Sequence, residues 1–97
     1  VKVFGNLGTK VKRIAISPGS GKSMIHDAIM SGVDVLITGD IDHHDGLDAV
    51  LQGLSIIDAG HFGLEKIFVP FMEQYLRREV PEMKVYRARQ NCPFEVL

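Results

Sequence analysis

The stretch Val33–Glu65, VDVLITGDIDHHDGLDAVLQGLSIIDAGHFGLE, decides how this chain folds. It contains two short apolar runs, Val35-Leu36-Ile37 and Ile56-Ile57, and each stops on a polar turn that includes glycine. An unbroken apolar run of this length fits a strand covered on both faces, as in a parallel sheet. Between the runs, Leu47, Val50 and Leu51 recur at helical spacing, which predicts a helix starting near His43 or His44 and ending at Gly53. The first turn reads Thr38-Gly39-Asp40-Ile41-Asp42-His43-His44, and the second Asp58-Ala59-Gly60-His61, with Glu65 one helical turn further on. Three of the four histidines lie in these two turns, beside carboxylates.

Working outward, Val1-Lys2-Val3-Phe4 predicts a short strand and Asn6–Lys10 a turn. Val11–Ser17 predicts a second strand, and its run Ile14-Ala15-Ile16 is expected to be buried on both faces. Pro18-Gly19-Ser20-Gly21 reads as a loop. Met24, Ile25, Ala28 and Ile29 then mark a helix face, with Ser20 or Ser23 as candidate cap and Gly32 at the C-terminal stop. Beyond Glu65 a helical pattern runs from about Gly63 to Glu79, with Leu64, Phe68, Phe71, Met72, Tyr75 and Leu76 on one face. Pro70 must kink that helix or start a new segment, because it has no N–H to donate. Met83–Ala88 predicts a last strand, at an edge, and the tail from Gln90 to Leu97 a short extended piece. The alternation of strands and helices at short spacing predicts an α/β fold, a mostly parallel sheet with helices packed on it, as one domain over 1–97.

Composition narrows the function. At 97 residues with 45% hydrophobic and 24% charged content, the chain has the make-up of an ordinary globular domain. A formal net charge of −1 offers no basic footprint for nucleic acid, so nucleic acid is a disfavoured partner rather than an excluded one. No apolar run approaches the ~20 residues of a membrane span. Cys92 is the only cysteine, so no internal disulfide forms and a cytoplasmic location is expected. The chain starts at Val1 without an initiator methionine, and is expected to be a processed product or part of a longer protein.

In open α/β sheets, ligands bind beyond the carboxyl ends of the strands. Three predicted strands end in polar turns at Ser17–Gly21, Thr38–Asp40 and Asp58–His61, and parallel strands would bring all three to one rim. Gly21-Lys22-Ser23 resembles the end of a phosphate loop, but the glycine that motif needs is replaced by Ile16, and the motif is rejected. What remains there is a helix start at Ser20-Gly21-Lys22 suited to an anion, with simple helix capping an equal competitor. His61 and Glu65, spaced i, i+4 at a helix start, can grip one divalent ion from adjacent turns; a plain surface hydrogen bond is the alternative. Asp40, directly behind Thr38-Gly39, is the carboxylate least explained by capping, whereas Asp42 fits a cap and His43 and Asp45 fit an exposed helix start. His44 and Asp48 also share i, i+4 spacing. His26, beside Asp27 in the first helix, reads as structural.

With those residues in place, the sequence resembles the C-terminal half of NIF-three-like proteins, also known as GTP cyclohydrolase type-two homologues. The resemblance is carried by Thr38-Gly39-Asp40-Ile41, His44-Asp45, Leu47-Asp48-Ala49, Gly53-Leu54, Ile57-Asp58-Ala59-Gly60-His61 and Glu65. Val11–Ile16 with Gly19-Ser20-Gly21 matches the earlier strand and glycine loop, and Pro93-Phe94 the usual close. The family implies an α/β fold, a dinuclear divalent-metal site and ring-like homo-oligomers, often hexamers. By resemblance His61 and Glu65 are metal ligands, while Asp40 and His44 line the site as candidate catalytic groups. The remaining ligands, a His-His pair and an aspartate, belong to the family's N-terminal half; His43-His44 is not that pair. Zinc, manganese and iron all suit such ligands.

The resemblance leads to metal-assisted hydrolysis of a nucleotide-like small molecule by the complete protein, with His44 or Asp40 relaying protons. Asp42-His43-His44 also resembles the signature of DHH phosphoesterases, but the further aspartate motifs of that family are missing upstream. A non-catalytic metal-binding scaffold is the alternative from another class.

Overall fold

The computed structural model describes residues 1–97. The chain divides into two compact units, Val1–Leu64 and Glu65–Leu97. The first unit carries a four-stranded sheet: β1 (Lys2–Phe4), β2 (Ile14–Ser20), β3 (Val35–Gly39) and β4 (Ser55–Asp58), in the order β1-β4-β3-β2. β2, β3 and β4 are parallel, and β1 pairs antiparallel with β4. Helices α1 (Ile25–Met30) and α2 (His43–Leu51) follow β2 and β3, and α3 (His61–Glu65) follows β4. The α/β expectation with a mostly parallel sheet therefore holds.

Register explains where the core lies. Ala15, Leu36, Ile56 and Phe4 are cross-strand neighbours in one row, and the period-2 pleat points them to one face. Leu36 and Ile56 cluster there with Ala28 of α1, Ala49 of α2, Ile41 and Leu54. The small Ala28 and Ala49 let both helices sit close to the sheet. Leu36 is 1% exposed, so Leu36→Ala should cost roughly 3 kcal/mol through lost transfer energy and the cavity left behind. Chemical denaturation would show a lowered midpoint at unchanged slope.

Several expectations need correction. β2 is an edge strand and is not buried on both faces: Ile14 and Ile16 are 54% and 69% exposed. A short apolar run has the same appearance in a central strand as in an edge strand. The segment expected as a loop at Pro18–Ser20 belongs to β2, with a register shift between Ile16 and Ser20. An edge position with an irregularity is where a strand tolerates proline. Neither Ser20 nor Ser23 caps the first helix. A 3-10 turn at Lys22–Met24 precedes α1, and no side-chain cap bond is made at either start. Asp42, by contrast, caps α2 by accepting from the backbone N–H of Asp45 at 2.9 Å.

The entry to β2 is set by Asp34. Its carboxylate accepts from the Lys12 and Arg13 N–H groups at 2.8 Å each. The hydrogen bonds from Arg13 and then Lys12 hold its carboxyl below the ordinary value.

In the second unit, α4 (Phe68–Glu79) is a new segment, placing Pro70 in its first turn, where the N–H has no helical partner to lose. Met72 and Leu76 are half-buried, but Phe68, Phe71 and Tyr75 of the expected core face are exposed. Met83–Ala88 and the tail after Gln90 form no strand, since all four strands of the sheet lie before Ala59. The extended segment is tied to α4 by the Arg77 guanidinium donating to the Val85 carbonyl at 3.4 Å and by Arg87 pairing with Glu73. No helix is long and apolar enough to cross a membrane.

Candidate functional site

The three polar turns do meet at one rim, and Gly39 is where they touch. A Cβ on Gly39 would lie 2.7 Å from the Gly60 carbonyl carbon, 2.7 Å from the His61 nitrogen and 3.0 Å from the Gly19 oxygen. The Gly21 N–H donates to the Gly39 carbonyl at 3.3 Å, and the fully buried Thr38 hydroxyl donates to the Gly19 carbonyl at 3.4 Å. The Thr38 carbonyl accepts from the Ala59 N–H at 2.8 Å. Parallel pairing places the three strand ends together, and the absence of a side chain at Gly39 lets the neighbouring backbones close on it.

Asp58 fastens the second and third turns. Its Oδ1 accepts from the Asp40 N–H at 3.0 Å and the Gly60 N–H at 2.9 Å. Its Oδ2 accepts from the Ile41 N–H at 3.0 Å and pairs with Lys2 Nζ at 2.8 Å. The side chain is 2% exposed. Burial pushes its carboxyl up, but the Lys2 ammonium and the Ile41, Gly60 and Asp40 amides outweigh burial and hold it below the ordinary value. Lys2 also donates to the Ile41 carbonyl at 2.8 Å, so β1 is stitched to the same turn.

Asp40 sits at φ 57, the one non-glycine residue with positive φ. Aspartate is among the few residue types that enter this left-handed region. From there its Oδ2 reaches His61 Nδ1 at 2.9 Å. His61 and Glu65 are the first and last residues of α3, and both are exposed. The structure thus brings Asp40 and His61 into contact, although they are far apart in sequence.

His44 lies exposed in the first turn of α2, its ring edge-on to His43 with centroids 5.5 Å apart. Asp48 is exposed on the same helix, and His26 is exposed on α1. The anion reading at Ser20-Gly21-Lys22 loses its cation. Lys22 pairs with Asp45 at 2.7 Å and Asp42 at 3.2 Å, and these hydrogen bonds raise its ammonium above the ordinary value. The Asp45 amide, with the Asp45 and Lys22 side chains, in turn lowers Asp42 to about 2. No group of three or more His, Cys, Asp or Glu side chains is arranged to hold a metal ion within this chain.

Sequence reasoning passed over Asp58, Lys2 and Gly39 as site residues. Asp58 carried a legible signal: it alternates with Ile56 and so faces the core side of β4, where a carboxylate needs partners.

Comparison with known proteins shows which family this chain resembles over most of its length. Over 62 residues the chain is 47% identical to the GTP cyclohydrolase 1 type 2 homolog of Staphylococcus aureus, spanning 64% of this chain and 17% of that protein. It is 42% identical over 82 residues to the namesake from Listeria monocytogenes, spanning 84% of this chain and 21% of that protein. The crystal structure of a Bacillus cereus protein related to NIF3 superposes with a TM-score of 0.85 at 32% identity, covering 99% of this chain and 28% of that one. The chain therefore spans under a third of the length of these relatives. Residues 1–93 match the family described as Duf34/NIF3 (NGG1p interacting factor 3), and the chain belongs to that family.

Proposed function

We propose that this chain supplies one half of a dinuclear divalent-metal site, with His61 and Glu65 as its ligands, in a larger protein that hydrolyses a nucleotide-like small molecule. The observation that carries this reading is the His61–Asp40 contact at the parallel-strand rim. Ligating imidazoles typically donate their second ring N–H to a carboxylate, and His61 already does so. The donor set fits a divalent ion of the zinc, manganese or iron type: an imidazole and a carboxylate, four residues apart on α3. Two donors make an incomplete shell, so this reading needs further ligands from outside this chain. The other ligands are assigned to the remainder of the longer protein, as the short span of the relatives supports.

When bound, such ions lower the pKa of a coordinated water and polarise the bond under attack. His61 and Glu65 would hold them, Asp40 stands directly behind His61, and His44 is the exposed imidazole available for proton transfer. Assembly into a ring-like homo-oligomer in the cytoplasm belongs to the same proposal. The exposed Phe68, Phe71 and Tyr75 of α4 are the kind of surface an assembly buries.

Elemental analysis tests the ligand assignment. The full-length protein should carry divalent metal in stoichiometric amounts, the present chain far less, and full-length His61→Ala should lose at least one ion per site. Stoichiometric metal in His61→Ala would sink the assignment. A screen of nucleotides with and without added divalent ions tests the chemistry, and bound metal without turnover would favour a scaffold.

A further inference from the structure

We infer that Asp40 is a positioning residue for His61: its carboxylate accepts the Nδ1–H of the imidazole, so that the Nε2 lone pair is the one that would bind a metal. Asp58 holds Asp40 in the backbone conformation that this requires. The inference rests on the ligand reading of His61 above and adds how the chain prepares that ligand.

Three observations converge on it. First, an ionised carboxylate has no proton to give, so the 2.9 Å contact requires the proton on His61 Nδ1. A neutral imidazole carries a single ring proton, and its lone pair then resides on Nε2. Second, Asp40 reaches His61 only from a left-handed backbone at φ 57. Strained conformers persist where surrounding structure over-determines them, and they cluster at functional sites. Here the over-determination is visible: one Asp58 oxygen binds the amide of Asp40 and the amide of Gly60, the residue just before His61. A single buried carboxylate therefore sets both partners of the pair.

Third, the pair does little for stability. Both side chains are about half exposed, 51% for His61 and 52% for Asp40. Exposed ion pairs contribute little to folding because water screens them and two side chains must be ordered. A strained backbone serving a weakly stabilising contact points to orientation as the purpose. Glycine at this position would satisfy the backbone better and would lack the carboxylate.

That contrast supplies the test. In the metal-free chain at pH 8, long-range 1H–15N NMR should show His61 as the Nδ1–H tautomer. In Asp40→Gly, which accepts φ 57 without strain, the population should shift toward Nε2–H, the form an unconstrained imidazole prefers. In the full-length protein, Asp40→Gly should weaken Zn2+ binding by roughly 10- to 100-fold in chelator competition. Asp40→Asn keeps an acceptor oxygen and tolerates the left-handed backbone, so it should recover part of the loss. An Nε2–H tautomer in the parent chain, or parent Zn2+ affinity in Asp40→Gly, would overturn the proposal. Failure of the ligand reading shows up separately. Full Zn2+ content in His61→Ala would remove the metal role of the pair while the tautomer shift stood.

Discussion

Replacing Asp58 with alanine should destabilise the first unit by about 3–5 kcal/mol, the range for stripping one partner from a buried ionic network. The loss leaves the buried Ile41 amide and the partly buried Asp40 and Gly60 amides without acceptors. Each stranded buried amide costs on the order of 1–3 kcal/mol. Against a total stability of roughly 5–15 kcal/mol, this is a large share. Lys2 adds less, because its side chain is 61% exposed and recovers water when released. Urea titration should show the midpoint falling steeply. Asp58→Asn should sit between, since its amide NH2 faces donors on the side where Oδ2 now accepts from Ile41 and Lys2.

The same residue sets an acid limit. The folded-state pKa of Asp58 lies below its ordinary value of 3.8. The folded state therefore binds this proton less readily than the unfolded chain does, and the stability Asp58 contributes is complete above that ordinary value. It is lost as pH falls from there through the depressed native value. Asp58→Asn should flatten that part of the pH–stability curve and lower the plateau at neutral pH. An Asn variant with the parent's plateau and the parent's acid slope would show that the carboxylate is not the fastener described above.

How much of this was legible in the sequence depends on what each signal encodes. Val35-Leu36-Ile37 and Ile56-Ile57 were legible as strands because short apolar runs of this kind suit the inner strands of a helix-covered sheet, and β3 and β4 are its two inner strands. Ile14-Ala15-Ile16 has the same composition but lies at the edge, and edge position is a property of pairing that no local pattern carries. Met83–Ala88 failed for the same reason: alternation allows a strand, and only a neighbour makes one. On α4 the stripe Phe68, Phe71, Tyr75 had helical spacing, but spacing fixes which side chains share a face and not what meets that face. At the site, His61, Glu65 and Asp40 stood out by residue type at a strand end. The Asp40–His61 contact did not, because it depends on a left-handed φ at Asp40 and on two amides held by one carboxylate. Capping by Asp42, one of the two readings open for the Asp42-His43-His44 run, was legible because capping is local.

Gly39→Ala should damage the rim strongly, at about 3 kcal/mol, the upper part of the range for overpacking a filled site. The added Cβ would stand 2.7 Å from both the Gly60 carbonyl carbon and the His61 nitrogen, and 3.0 Å from the Gly19 oxygen. All three are backbone atoms, so no side chain can rotate away, and two turns must move apart. Those turns are pinned elsewhere, by Asp58 on Gly60 and by Thr38 on Gly19. Displacing them loosens hydrogen bonds as well as packing. Gly60→Ala is the informative control. Nothing lies within 4 Å of its Cβ, but φ is +74, so it should lose only the left-handed penalty of about 1–2 kcal/mol. The two variants also separate in the site: Gly39→Ala shifts the His61 backbone away from Asp40 and should abolish the Nδ1–H tautomer preference, whereas Gly60→Ala at permissive temperature should largely keep it. If Gly39→Ala unfolds at the same urea concentration as Gly60→Ala, the close approach of the three turns is not what holds this rim together.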